Sequence, residues 1–190
     1  MREEKNAKNV VKQEAQPVNA DIRTVVFDMD GTLYDNRGLA CRMFACLWWA
    51  LPLLIIDRSA HGALWQWEVN SWWHKRIFLP TMVWLINRHH FSRPQALTLL
   101  EDCKKRGLQI ALYSDYGAAE EKLDVLGIRK QYFDLIITAP ELGDLKPSAA
   151  CARKVLELLH ADPNTTLFIG DRPEKDGAAA TAVGAQFMLI

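Results

Sequence analysis

The stretch Asp28-Met29-Asp30-Gly31-Thr32 sets two carboxylates two residues apart, directly after the apolar, β-branched run Ile22 to Phe27. Such a run reads as a buried strand, so Asp28 falls at its carboxyl end and Gly31 lets the chain turn away. Close carboxylates repel unless a cation or a proton separates them, so the pair predicts reactive chemistry and a compensating charge. Three later strand-like runs end in equally suggestive residues: Ser114 after one, Lys146-Pro147 beyond another, and Gly170-Asp171 with Asp176 after a third. Ligands of open α/β sheets bind beyond the carboxyl ends of the strands, which would gather all of these at one place. Asp28, Asp171 and Asp176, with a backbone carbonyl near Asp30, form an all-oxygen set of the kind Mg²⁺ prefers. Asp176 could instead cap the helix that follows it. Ser114 can donate a hydrogen bond and Lys146 carries a positive charge, both suited to phosphate. Asp28 is ionised at neutral pH and could attack phosphorus without a base of its own. Asp30 could give a proton to the leaving oxygen and later take one from water.

The elements that must position these residues alternate along the chain. Strands are expected at Leu108 to Tyr113, Phe133 to Thr138, Thr166 to Ile169 and Ala185 to Ile190, and helices at Pro94 to Arg106, Ala118 to Leu126, Pro147 to His160 and Lys175 to Val183. This alternation predicts an α/β domain with a parallel sheet covered on both faces. Residues 37–91 differ, holding all seven tryptophans and no strand-like alternation. Helices are expected there at Leu39 to Leu51, Ala60 to Phe78 and Thr81 to His90, broken by Pro52, Gly62 or its neighbours, and Pro80. They would form a lid over the first strand's end with the tryptophans mostly in its core, while residues 21–36 and 92–190 form the core domain. The five histidines read as surface or packing residues, although His89-His90 could face the site.

Composition narrows the function classes. A chain of 190 residues with 23 basic and 23 acidic side chains has the size of one domain with an insertion and no bulk charge to draw nucleic acid. The four cysteines form no CxxC pair and have no zinc-like histidine spacing, so reduced thiols and a cytoplasmic location are expected. Residues 1–20 are polar, without the apolar core of a signal peptide, and read as a disordered or frayed tail. Met43 to Ile56 carries no charge but is shorter than a membrane span and contains Pro52. A buried lid helix is the favoured reading and an interfacial membrane contact the lesser one.

Taken in order, Asp28-Met29-Asp30-Gly31-Thr32, Ser114, Lys146-Pro147 and Gly170-Asp171 through Asp176 resemble the four motifs of the haloacid dehalogenase-like hydrolase superfamily. The resemblance covers Ile22 to Ile190. It implies a Rossmann-like three-layer sandwich with a mainly parallel sheet and a small all-helical cap of the family's first type inserted after the first strand. It also implies a Mg²⁺-dependent aspartyl-phosphate intermediate at Asp28, acid and base work by Asp30, phosphate contacts from Ser114 and Lys146, and metal ligation by Asp28, the Asp30 carbonyl and Asp171, with Asp176 alongside. The family's dehalogenases lack the second aspartate and its phosphatases carry it, so Asp30 favours hydrolysis of a small-molecule phosphate monoester. A phosphotransferase or mutase built on the same intermediate is one alternative. A membrane-surface or partner-binding protein acting through the Trp-rich segment, which could also hide a homodimer contact, is the other. Asp115-Tyr116 stands where the family more often has Asn-Gly.

Overall fold

The computed structural model describes residues 18–55, 72–89 and 91–190. In chain order the regular elements are β1 (Thr24–Phe27), α1 (Arg37–Cys46), α2 (Leu79–His89), α3 (Pro94–Lys105), β2 (Gln109–Ser114), α4 (Ala119–Leu126), β3 (Leu135–Thr138), α5 (Ala139–Leu142), α6 (Ala149–Leu159), β4 (Thr166–Gly170), α7 (Ala178–Val183) and β5 (Gln186–Leu189), with short helical turns between some of them. The five strands form one parallel sheet in the order β3-β2-β1-β4-β5. β1 is central, with Thr24 in register with Gln109 on one side and Thr166 on the other. The chain runs outward from β1 to β3 and then crosses to β4, so the switch in direction lies beside the end of β1, where such sheets hold ligands.

The period-two alternation of the strands divides the core into two layers. Val25 and Phe27 of β1, Ile110 and Leu112 of β2, and Leu167 and Ile169 of β4 face one side, against Ala96, Leu99, Leu100 and Cys103 of α3 and Leu123 of α4. Val26, Ala111, Tyr113 and Phe168 face the other, against Cys151, Ala152, Val155 and Leu156 of α6 and Ala179 and Ala180 of α7. The apolar stripe of α3 and its stop before Gly107 are as the sequence predicts. The expected helix from Pro147 begins instead at Ala149, and the short α5 goes unanticipated. There Glu141 accepts hydrogen bonds from the Thr138 backbone N–H at 2.7 Å and from its hydroxyl at 2.6 Å, which starts the helix at the strand's last residue.

The insertion enters and leaves on two paired linkers. Asp35 N–H donates to the Phe91 carbonyl at 2.9 Å and Arg93 N–H to that of Leu33 at 3.0 Å. Between them lie α1, a helical turn at Trp48–Ala50, a helix over 51–55, and a helix over 72–89 that contains α2. Pro80 does not break this last helix. A wide π turn at His74–Phe78 precedes it and absorbs the loss of the proline's N–H and the crowding by its ring. Most of the expected Ala60 to Phe78 helix lies outside the described residues, as do His90 and the tail up to residue 17; from Val18, which is buried and whose carbonyl accepts from Arg106 at 2.8 Å, the chain is already packed.

Leu39, Met43, Leu54, Met82, Leu85 and Ile86 join the core layer that holds Val25 and Phe27 of β1, so the described part of the insertion shares the core of the sheet domain. Of the five described tryptophans, expected mostly in its core, only Trp73 is half-buried and packed against the core. Trp48, Trp49, Trp72 and Trp84 are exposed, because the buried faces are taken by aliphatic and Met side chains; Trp65 and Trp67 lie outside the described residues. No single described helix is long and apolar enough to cross a membrane, and α1 is bent by 80° from the helical stretch Trp48–Ile55. Removal of the α5 anchor, Glu141→Ala, leaves the Thr138 N–H without its partner and should lower unfolding free energy by about 1 kcal/mol, read as a lower urea midpoint with an unchanged slope.

Candidate active site

The ends of β1, β2 and β4 bring the predicted residues to one place. Oxygens of Asp28, Asp171 and Asp176 all lie within 4.8 Å of one another, although the three residues come from two strand ends and a helical turn. Two glycines permit this. Gly31 has φ +109°, and a Cβ there would collide with the Asp171 carboxylate, while a Cβ on Gly170 would collide with that of Asp176. Lys146, in the loop that leads to α6, inserts its Nζ between Asp28 Oδ1 at 2.5 Å and Asp176 Oδ1 at 2.6 Å. Asp176 Oδ2 also accepts the Arg172 N–H at 3.2 Å, so this side chain ties the start of its own turn as well as facing the cluster.

These carboxylates fit a divalent cation. Asp28, Asp171, Asp176 and Lys146 together leave two formal negative charges, which such an ion would neutralise. Asp171 Oδ1 is buried and, among the described residues, has no hydrogen-bond partner, a state that costs free energy unless something fills it. Burial raises the Asp171 carboxyl above its ordinary value, with the neighbouring Asp176 charge adding to the rise. Burial likewise pushes Asp28 up to about 7, with repulsion from Asp176 and Asp30 outweighed in part by Lys146. The Asp30 carbonyl accepts the Asn36 side-chain amide at 3.1 Å, which uses one of its two lone pairs.

The Asp30 side chain belongs to a separate arrangement beneath the cluster. Burial would raise its pKa, but Lys122 Nζ at 2.6 Å, the Tyr34 hydroxyl and the Ser114 hydroxyl at 2.7 Å overcome that and hold it below the usual carboxylate value. The Ser114 hydroxyl, expected to donate to phosphate, is fully buried and lies 2.7 Å from Asp30 Oδ2 and 3.0 Å from the Tyr116 carbonyl, either of which can accept its proton. Lys122 escaped the sequence reading, although a signal was present: it lies on the inward stripe of α4, between Ala119 and Leu123, where a charge must have a partner. Asp115, the departure from the usual Asn-Gly, accepts the Lys146 N–H at 2.9 Å and pairs with Lys175 at 2.8 Å, joining the loops after β2, before α6 and after β4. His89 turns to Arg42 at 3.2 Å and His74 stacks on Phe78 with ring centroids 5.0 Å apart; neither lines the cavity above the carboxylates.

A parallel sheet with an acidic cluster and a buried lysine at its carboxyl edge, under a helical insertion after the first strand, defines a class of α/β hydrolase. The sequence matches the family described as haloacid dehalogenase-like hydrolase over residues 22–184, and the chain belongs to that family. It is 32% identical over 159 residues, 83% of this chain, to "Haloacid dehalogenase-like hydrolase domain-containing protein 3" of Xenopus laevis. It is 27% identical over 166 residues to the "Phosphoglycolate phosphatase" of Aquifex aeolicus, which covers 79% of this chain and 76% of that one. Among solved structures, the magnesium-bound HAD-hydrolase YfnB of Bacillus subtilis superposes with a TM-score of 0.68 at 16% identity, over 89% of this chain and 88% of that one, a likeness of fold. The chain spans 43% of the bovine and 63% of the frog relative's length.

Lys122 gives this arrangement a sharp test. Lys122→Met leaves Asp30 a buried charge without its cation and should cost about 3–5 kcal/mol at neutral pH. A carboxyl held below its ordinary pKa contributes stability above the unfolded value and loses it as pH falls through the folded one. The gap between wild type and variant in chemical unfolding should therefore narrow on acidification, starting where the unpaired, buried Asp30 of the variant takes up its proton; a gap constant with pH would contradict the pairing.

Proposed function

We propose that the chain is a Mg²⁺-dependent phosphatase that cleaves phosphate monoesters through an aspartyl-phosphate on Asp28. The observation that carries this reading is the meeting of the Asp28, Asp171 and Asp176 carboxylates, with the Lys146 ammonium set between two of them. The phosphatase name of the Aquifex relative supports the same reaction class. Asp28, Asp171, Asp176 and the Asp30 carbonyl would hold the ion, which when bound neutralises charge on the phosphoryl oxygens.

The residues of this chain then divide the work. An Asp28 oxygen forms a bond to phosphorus as the bond to the ester oxygen breaks. The leaving oxygen takes a proton from Asp30, and the alcohol departs. Water then attacks the aspartyl-phosphate, giving its proton to Asp30 and releasing phosphate with Asp28 restored. Lys122, Tyr34 and Ser114 fix the Asp30 carboxylate and keep it ionised in the free protein, so the proton it gives to the leaving oxygen is taken up from water as the substrate enters and is returned to it by the attacking water of the second half. In the first half the approaching phosphate charge raises the Asp30 pKa and favours its proton-carrying form. Lys146 orients Asp28 and offers a charge to the phosphate. Ser114 acts through Asp30 as a positioning residue.

Aryl phosphate hydrolysis should require Mg²⁺, stop with EDTA, and fall by at least about a thousandfold in Asp28→Asn, since loss of a nucleophile closes the shared route. An unaffected Asp28→Asn rate would remove the proposal. A second expectation follows from the raised pKa of Asp28. A carboxyl that titrates at about 7 in the metal-free protein is mostly protonated at pH 6, so an entering cation must displace that proton. Calorimetry in buffers of different ionisation enthalpy should detect proton release at pH 6 and little above pH 8, with Mg²⁺ affinity rising over that interval.

A further inference from the structure

The cavity over the carboxylates has two unlike halves. Its volume is about 340 Å³, at the small end of sites for small molecules. The floor is charged, built from the cluster with Lys146, Arg172 and Lys175. The side formed by the insertion is apolar: Leu39, Met43 and Phe44 of α1, Leu54, Phe78, and Met82 of α2. Leu39, Met43, Leu54 and Met82 are buried, and Phe44 is 49% exposed. Among the described residues, the hydrogen-bonding side chains of this upper side besides Tyr34 and Tyr116 are Asn36 and Arg37, and each spends part of its donor set within the protein. The Asn36 amide donates to the Asp30 carbonyl at 3.1 Å, and the Arg37 guanidinium is held by Asp35 at 3.0 and 3.2 Å.

We infer that the ester's leaving group is apolar, an alkyl or aryl chain rather than a polyol. This rests on the phosphatase reading of the same site. A phosphate of either kind suits the floor, so the upper wall decides. A sugar hydroxyl set against Leu39, Met43, Leu54, Phe78 and Met82 meets no partner there and costs roughly tenfold or more in affinity, whereas each methylene buried against them favours binding by about fourfold. Trp48, Leu51 and Ile55 of the insertion are exposed apolar side chains as well, so esters presented from water and from a lipid surface are both to be tried.

A series of methyl, butyl, hexyl and octyl phosphates, with p-nitrophenyl phosphate, glycerol phosphate and sugar phosphates as comparators, tests this. kcat/KM should rise about fourfold per methylene until the cavity is filled. Phe44→Asp, an exposed position that should not disturb folding, should flatten the series and lower the octyl value at least tenfold. A flat series with glycerol or sugar phosphates preferred overturns the inference and leaves the phosphatase reading intact. If no ester is hydrolysed, including the aryl one, the phosphatase reading fails. Calorimetric binding of methyl to octyl phosphonates then still decides the specificity: tightening with length supports it, and equal affinities overturn it. Phosphate release from phosphatidylcholine vesicles containing phosphatidic acid would assign the chain to a lipid surface, and release from monomeric octyl phosphate alone would assign it to a soluble amphiphile.

Discussion

Repulsion among buried carboxylates at the ends of three parallel strands is the constraint on which the rest of this structure depends. Asp28, Asp30, Asp115 and Asp176 are each less than a tenth exposed, and desolvated charges of one sign are costly in proportion to their burial. The fold answers with three lysines from three separate loops or helices. Lys146 serves Asp28 and Asp176, Lys122 serves Asp30, and Lys175 serves Asp115. Asp171 is the exception, with one buried oxygen that finds no partner among the described residues. The negative charge left over is concentrated where Asp28, Asp171 and Asp176 meet, so the same arrangement that stabilises the strand ends prepares the site for a cation.

This division explains why two aspartates only two residues apart behave in opposite ways. Asp28 is pushed up to about 7 by burial and by the neighbouring acids, while Asp30, equally buried, is held below the ordinary value by a cation and two hydroxyls. Pairs of titratable groups driven apart by their surroundings commonly mark divided acid, base and nucleophilic duties. The strand supplies both residues; the helix α4 and the loop before α6 set them apart.

Much of this was legible in the sequence. The strand runs, the Gly-terminated helices and the four clusters at strand ends are local signals, and each lies close to where it was expected. Three kinds of feature were not legible, for distinct physical reasons. Lys122 lies between Ala119 and Leu123 on the inward stripe of α4, a faint signal that becomes decisive only when Asp30 is seen to meet it from another strand end. Ser114 meets Asp30 and the Tyr116 carbonyl as acceptors, and the approach of Asp30 from another strand end is a tertiary contact that no local pattern carries. Trp48, Trp49, Trp72 and Trp84 invite assignment to a core by their apolar area, but they are exposed while aliphatic and Met side chains of α1 and α2 are buried. Pro80 is a related case: a proline's demand on the backbone can be met by a wide turn upstream as well as by a break.

The insertion gives the family fold its individual character here, since it closes an apolar wall over a charged floor. The account nevertheless stands on the cation site more than on that wall. The most direct measurement is a crystal of the full chain grown with Mn²⁺ as an anomalous scatterer in place of Mg²⁺. The account predicts a single strong peak bounded by the carboxylates of Asp28, Asp171 and Asp176. No peak among them at saturating metal, or a peak only at some other acidic group, would contradict it.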